Sequence, residues 1–111
     1  MRLPHGDLAE VDLRKLSEYC LNPGHLRGKH KARVFAAVLG MTAAETSELR
    51  QLLLLAAESN DCTFSGADQY GNRYVVDFDV ARGAWSGRVR SVWMVRHGEL
   101  SPRLTTCYVL R

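Results

Sequence analysis

Residues 74–80 read YVVDFDV, and their alternation decides the fold. Tyr74, Val76, Phe78 and Val80 fall on one side of an extended chain, with Val75, Asp77 and Asp79 on the other, the period-two pattern of a strand buried on one face. Just before it, QYGNRY (69–74) offers a tight turn. Gly71-Asn72 tolerates positive φ, which predicts a hairpin joining a weaker strand, Thr63 to Gln69, to Arg73–Val80. Just after it, ARGAWSG (81–87) reads as a loop or a second hairpin turn. RVRSVWMVR (88–96) and LTTCYVL (104–110) are two further strands, separated by HGELSPR (97–103), whose Gly98 and Pro102 interrupt any continuation. Connections this short cannot make parallel crossovers, so the four strands form an antiparallel sheet.

Upstream the period changes from two to 3.6. Asp12 is placed to cap a helix from about Leu13 to Leu21, with Leu13, Leu16 and Cys20 on one stripe and NPG (22–24) as the stop. A second helix is expected to follow at once, with Ala32, Phe35, Ala36 and Leu39 buried and Gly40 as its left-handed cap. TAAE (42–45) is a capping box that opens a third helix running to about Ser59, with Leu49, Leu52, Leu53 and Ala56 inward. The expected architecture is therefore α+β, with three N-terminal helices packed on a C-terminal four-stranded antiparallel sheet. With 111 residues, 46% of them hydrophobic, the chain suits one domain, residues 1–111, helical to about residue 60 and sheet from about 61.

Composition narrows the chemistry. A net charge of +3 and a pI near 9.0 are compatible with a nucleic-acid partner, and local clustering carries more information than the total. Cys20, Cys62 and Cys107 are an odd number without CxxC spacing and read as reduced core residues, which points to the cytoplasm. Neither a signal peptide nor an apolar run of about 18 residues is visible, so no membrane partner is expected. His5, His25, His30 and His97 are scattered, HExxH and glycine-rich phosphate loops are lacking, and no metal or cofactor is implied.

The most suggestive stretch is GHLRGKHKARVF (24–35), which gathers His25, Arg27, Lys29, His30, Lys31 and Arg33 at the expected start of the second helix. A helix N-terminus already carries about half a positive charge, so cations there are disfavoured by about 0.3–1 kcal/mol each unless an anion offsets them. Free N–H groups together with cations make a phosphate site, and histidine can move protons near neutrality. The competing reading is a solvated basic face. On the last strand Thr106 and Tyr108 share a side and Thr105 points the other way, although these are also ordinary strand residues. Arg88 and Arg90 share a face with Met94, and Arg73 stands at the hairpin mouth; their guanidinium forks suit phosphate. Asp77 and Asp79 are placed to pair with such arginines. Trp85, Tyr70 and Tyr74 could stack on bases, whereas Trp93 in mid-strand reads as core.

Three stretches, LNPGHLRGKHKARVF (21–35), YGNRYVVD (70–77) and TTCYV (105–109), resemble a small bacterial domain of unknown function found alone and at the C-terminal tip of large secreted polymorphic toxins. The resemblance carries Asn22, Pro23, His25, Gly28, Lys31, Ala32 and Phe35, then Tyr70, Gly71, Arg73 and Tyr74, then Thr105, Thr106, Tyr108 and Val109. Helices followed by a four-stranded antiparallel sheet also resemble the layout of ribonuclease toxins such as barnase and the colicin tRNases, an analogy of layout and not of function. In that family a small polar residue can stand at position 30, which favours His25 with Lys31. The resemblance is silent on the reaction; the leading expectation, drawn from the basic cluster and its histidines, is a metal-independent endoribonuclease toxin. His25 or His30 would move protons, Lys31 and Arg90 would stabilise the phosphorane, and Thr106 and Tyr108 would hold the phosphate or assist proton transfer. Arg27, Lys29, Arg33, Arg73, Tyr74 and Thr105 would bind substrate. RNA and a small acidic antitoxin or immunity protein are the implied partners; a non-catalytic RNA-binding or toxin-neutralising module is the alternative.

Overall fold

One long hairpin organises the molecule. In the computed structural model, which describes residues 1–111, β2 (Gly71–Arg82) and β3 (Trp85–Arg96) pair along their whole length, from Gly71 opposite Arg96 to Arg82 opposite Trp85. The strands β1 (Thr63–Ala67) and β4 (Arg103–Leu110) flank them, giving an antiparallel sheet in the order β1-β2-β3-β4. Tyr74, Val76, Phe78 and Val80 are buried, as the alternation in 74–80 requires, and share one core with Val89, Trp93, Cys107 and Val109 of the neighbouring strands. Trp93 is fully buried, and its indole N–H donates to the Ser91 hydroxyl at 2.9 Å, which in turn donates to the Val76 carbonyl at 2.7 Å. The one buried polar side chain is thereby satisfied.

The helices precede the sheet in sequence and complete the same core: α1 (Leu13–Lys15, continued as a π-helical turn over Leu16–Cys20), α2 (Lys29–Leu39) and α3 (Thr46–Ser59). Asp12 caps α1, its carboxylate accepting from the Arg14 N–H at 2.9 Å. Gly40 closes α2 at φ 64°, and Met41 N–H reaches back to the Phe35 carbonyl at 3.1 Å. The capping box forms with Thr42 N–H donating to Glu45 at 3.0 Å, and a 3-10 turn over Ala43–Glu45 precedes α3. No helix is long and apolar enough to cross a membrane.

Several local expectations are corrected. The first helix does not run straight to Leu21: Leu21 N–H bonds to Leu16 O at 2.8 Å, and Leu13 stands outside the core while Leu16, Cys20 and Leu21 are buried. The second helix does not follow at once, because a turn over residues 22–28 intervenes. Ala36 is exposed and Leu52 only half-buried; Ala32, Phe35 and Leu39 line the core from α2, and Leu49, Leu53, Ala56 and Ala57 from α3. The first hairpin turns earlier than Gly71-Asn72, since the Asp68 carboxylate collects the Tyr70 and Gly71 N–H groups and pulls the turn onto residues 68–70. Gly71 is then part of β2 at φ 155°, so close to Val95 that an added Cβ would lie 2.1 Å from its carbonyl oxygen. The segment 81–87 is a hairpin, with Gly83 at φ 57° and both strands extending beyond their expected ends. Trp85 packs against Gly40 and near the Arg82 guanidinium, 5.9 Å from the ring centre, and remains about half exposed.

Candidate functional site

The turn between α1 and α2 is built to place one lysine. Asn22 stabilises it from both ends, donating to the Glu18 carbonyl at 3.1 Å and accepting from Gly24 N–H at 2.9 Å. The His25 ring acts as the cap: Nδ1 accepts from the N–H groups of Arg27 at 3.0 Å and Gly28 at 2.9 Å. A ring nitrogen that accepts both bonds carries no hydrogen, so in this arrangement the ring N–H is the one on Nε2. The His25 carbonyl then accepts from Lys29 N–H at 2.9 Å. Gly28 packs where no side chain fits, as a Cβ there would sit 2.3 Å from the Tyr19 carbonyl oxygen. Several N–H groups of this turn are therefore already bonded within it, which narrows the anion role expected of the backbone and leaves the side chains to supply it.

Lys31, in the first turn of α2, reaches the β4 edge of the sheet. Its ammonium donates to the Tyr19 hydroxyl at 3.0 Å and to Thr106 Oγ1 at 3.1 Å, and lies 4.9 Å from the Tyr19 ring centre and 5.7 Å from that of Tyr108. Two of its three N–H bonds are engaged, one is free, and no carboxylate is within ion-pairing distance. This half-buried amine is held by hydroxyls and aromatic faces, an arrangement that leaves room for an incoming anion.

Around this centre the neighbours fall into place. The His25 ring meets Tyr19 edge-on, centroids 4.7 Å apart, so His25 adjoins the lysine through the tyrosine. Tyr108 stands opposite Arg90 across the β3/β4 ladder. Arg90 forms a two-pronged bond to Asp77, both distances 2.9 Å, which pushes the Asp77 carboxyl below the usual carboxylate range and Arg90 above its ordinary value. Beneath the lysine, Cys20 Sγ lies 3.9 Å from Thr106 Oγ1. The Cys107 thiol, and with it Thr106 and the Lys31 charge, pulls the Cys20 thiol below the ordinary thiol range against the opposing effect of burial, while Cys107 is pushed up.

The structure thus brings Lys31, Thr106 and Tyr108 together, with His25 and Arg90 adjoining. The other sequence candidates lie elsewhere or stand alone. His30, Arg27 and Arg33 are exposed and Lys29 is half-buried, none with a side-chain partner. Arg73 is closed on Asp68. Tyr74 is in the core, edge-to-face with Phe64 at 5.7 Å, because the pleat that buries Val76 and Phe78 also turns Tyr74 inward. Thr105 is exposed at an irregularity of the β3/β4 register between Val92 and Trp93. Arg88 is paired to Asp79 at 2.8 Å. Sequence reasoning missed Tyr19 and Cys20 as site residues: the π turn that presents them leaves no periodic mark, although Gly28 and the Asn22-Pro23-x-His25 run mark a tight approach to that turn.

Residues 2–111 match the family model described as "Domain of unknown function (DUF6883)", and the chain belongs to that family. No curated protein and no solved structure matches it.

Proposed function

We propose that this family member binds RNA at Lys31 and cleaves it by attack of the ribose 2′-hydroxyl on the adjacent phosphate. The observation that carries the reading is the half-buried Lys31 ammonium, held by Tyr19 and Thr106 with no carboxylate to neutralise it. Lys31 receives the charge that builds on the non-bridging phosphate oxygens; Tyr19 and Thr106 aim it, and Tyr108 with Arg90 supports the other side. An imidazole takes the 2′-hydroxyl proton as the 2′-oxygen bonds to phosphorus, the bond to the 5′-oxygen breaks, and the leaving 5′-oxygen takes a proton from solvent water, giving a 2′,3′-cyclic phosphate and a 5′-hydroxyl. His25 in its capping state offers only Nε2–H, a donor that suits phosphate binding; His30, exposed and without a side-chain partner, is the histidine left to take the proton, although it is not among the groups brought to Lys31. The proposed setting is a bacterial toxin system, with a small acidic antitoxin or immunity protein covering Arg27, Lys29, Lys31 and Arg33.

The test is purified protein with RNA in chelator, read for cyclic phosphate ends, with growth arrest on expression as the cellular counterpart. Wild type cleaving and Lys31→Met failing to do so supports the reading; intact RNA with both proteins rejects it. The engagement of His25 Nδ1 as a cap acceptor favours a second reading, an RNA-binding or toxin-neutralising module without cleavage. That module would bind RNA with a steep salt dependence, or bind a toxin, and leave RNA whole.

A further inference from the structure

Beside the Lys31 centre the N-terminal arm and the ends of β3 and β4 enclose a groove of about 830 Å³, walled by Lys15, Arg50, Tyr70, Met94, Arg96 and Thr105 among others. Three of its four cations, Lys15, Arg50 and Arg96, have no carboxylate partner, and Arg50 is steadied by its Nε bond to the Val11 carbonyl at 3.2 Å; the fourth, Arg103, is paired with Glu10 and Glu99. The groove's own acids are already engaged, Asp12 by Arg14 at 3.2 Å and Glu10 by Arg103 at 3.7 Å. Tyr70 is 63% exposed at the hairpin tip and belongs to neither aromatic pair of the fold. Thr105 lines the groove, and Thr106, the next residue of β4, accepts from Lys31. The β4 irregularity at this point gives the two threonines different surroundings.

From this arrangement we infer that the groove is a single-strand subsite. It takes the nucleotides next to the phosphate at Lys31, with a base stacked on Tyr70 and backbone phosphates on Lys15, Arg50 and Arg96. The inference rests on the RNA reading of Lys31 and adds a direction to it: the strand runs from α2 across the β4 edge towards the β1/β2 hairpin. Stacking platforms lined by cations tolerate any base, so the subsite confers length dependence and little sequence preference.

The experiment is fluorescence anisotropy with a labelled 12-nucleotide single-stranded RNA, 2′-O-methylated to block cleavage, and with a trinucleotide of the same chemistry. Wild type is expected to bind the longer strand more tightly. Tyr70→Ala should bind the 12-mer about ten-fold more weakly, and Tyr70→Phe, which keeps the ring, should restore the affinity. In Lys15→Ala, Arg96→Ala the slope of log affinity against log salt should shrink by about 0.7 for each cation removed. Equal binding of the 12-mer by wild type, Tyr70→Ala and the double variant, with Lys31→Met weakened, overturns the groove and leaves the RNA reading standing. Absence of RNA binding in wild type overturns both, and is seen before any variant is made.

Discussion

The outer face of the long hairpin and the entrance of α2 carry the same kind of side chain in opposite circumstances. On the hairpin Arg73, Arg88 and Arg90 each face an aspartate, Asp68, Asp79 and Asp77. At α2, Arg27, Lys29, Lys31 and Arg33 face none. A strand register that sets Asp77 opposite Arg90 and Asp79 opposite Arg88 pairs charges as it forms the ladder, so those arginines serve the sheet. The α2 entrance has no acid within its own turns, and its charge is left for something from outside. Arginines on a strand are thus a poor guide to a ligand here, and a lysine held by two hydroxyls is a better one.

Breaking each region in turn separates structural from ligand-directed cations. The largest loss of stability is expected where the turn meets Tyr19. Gly28→Ala puts a Cβ into the Tyr19 carbonyl and should cost about 1–3 kcal/mol while pulling Tyr19 off Lys31, read by chemical denaturation together with RNA affinity. Next, Arg90→Leu leaves the half-buried Asp77 carboxylate without its fork and, with solvent screening of the partly exposed guanidinium, should cost about 1–2 kcal/mol. Because the native carboxyl is held below its unfolded value, the Asp77 contribution is fully present above the unfolded pKa and lost as pH falls through the folded one. Acid unfolding of Asp77→Asn should accordingly lack that component, whereas Lys31→Met should retain it.

A smaller effect is expected at the cap. His25→Ala frees the Arg27 and Gly28 N–H groups and should cost about 1 kcal/mol, with His25→Asn recovering part of it because an amide oxygen can also cap. The subtlest probe is Cys20. Its thiolate absorbance near 240 nm should titrate below the range of an ordinary thiol, and Lys31→Met, which removes one of the charges favouring the thiolate, should move that midpoint upward. An unmoved midpoint would separate the lysine from the thiol.

What could be read from the chain follows from which interactions are local. The alternation in 74–80, the capping box at Thr42 and Glu45 and the Gly40 cap are short-range patterns, and each reappears in the fold. The turn before β2 was misplaced because an Asx-type competitor, Asp68, lies just upstream of the Gly71-Asn72 signal. Lys31, Thr106 and Tyr108 could be nominated by residue type alone, but their meeting depends on α2 lying against the β4 edge, a tertiary fact. Tyr19 could not be nominated, since its position comes from one residue's worth of extra helical turn between Leu16 and Leu21. Tyr74 shows the reverse case: a motif residue whose place in the alternation already marked it as core.

The central claim is that Lys31 is kept unpaired for a phosphate. Its most direct test is single-turnover cleavage of a short RNA in chelator by wild type and Lys31→Met, with denaturation midpoints measured alongside. The account predicts loss of about 10²–10³-fold in rate with the fold intact, in line with removal of one charge-stabilising donor. Equal rates in the two proteins, or no cleavage by either, would contradict it.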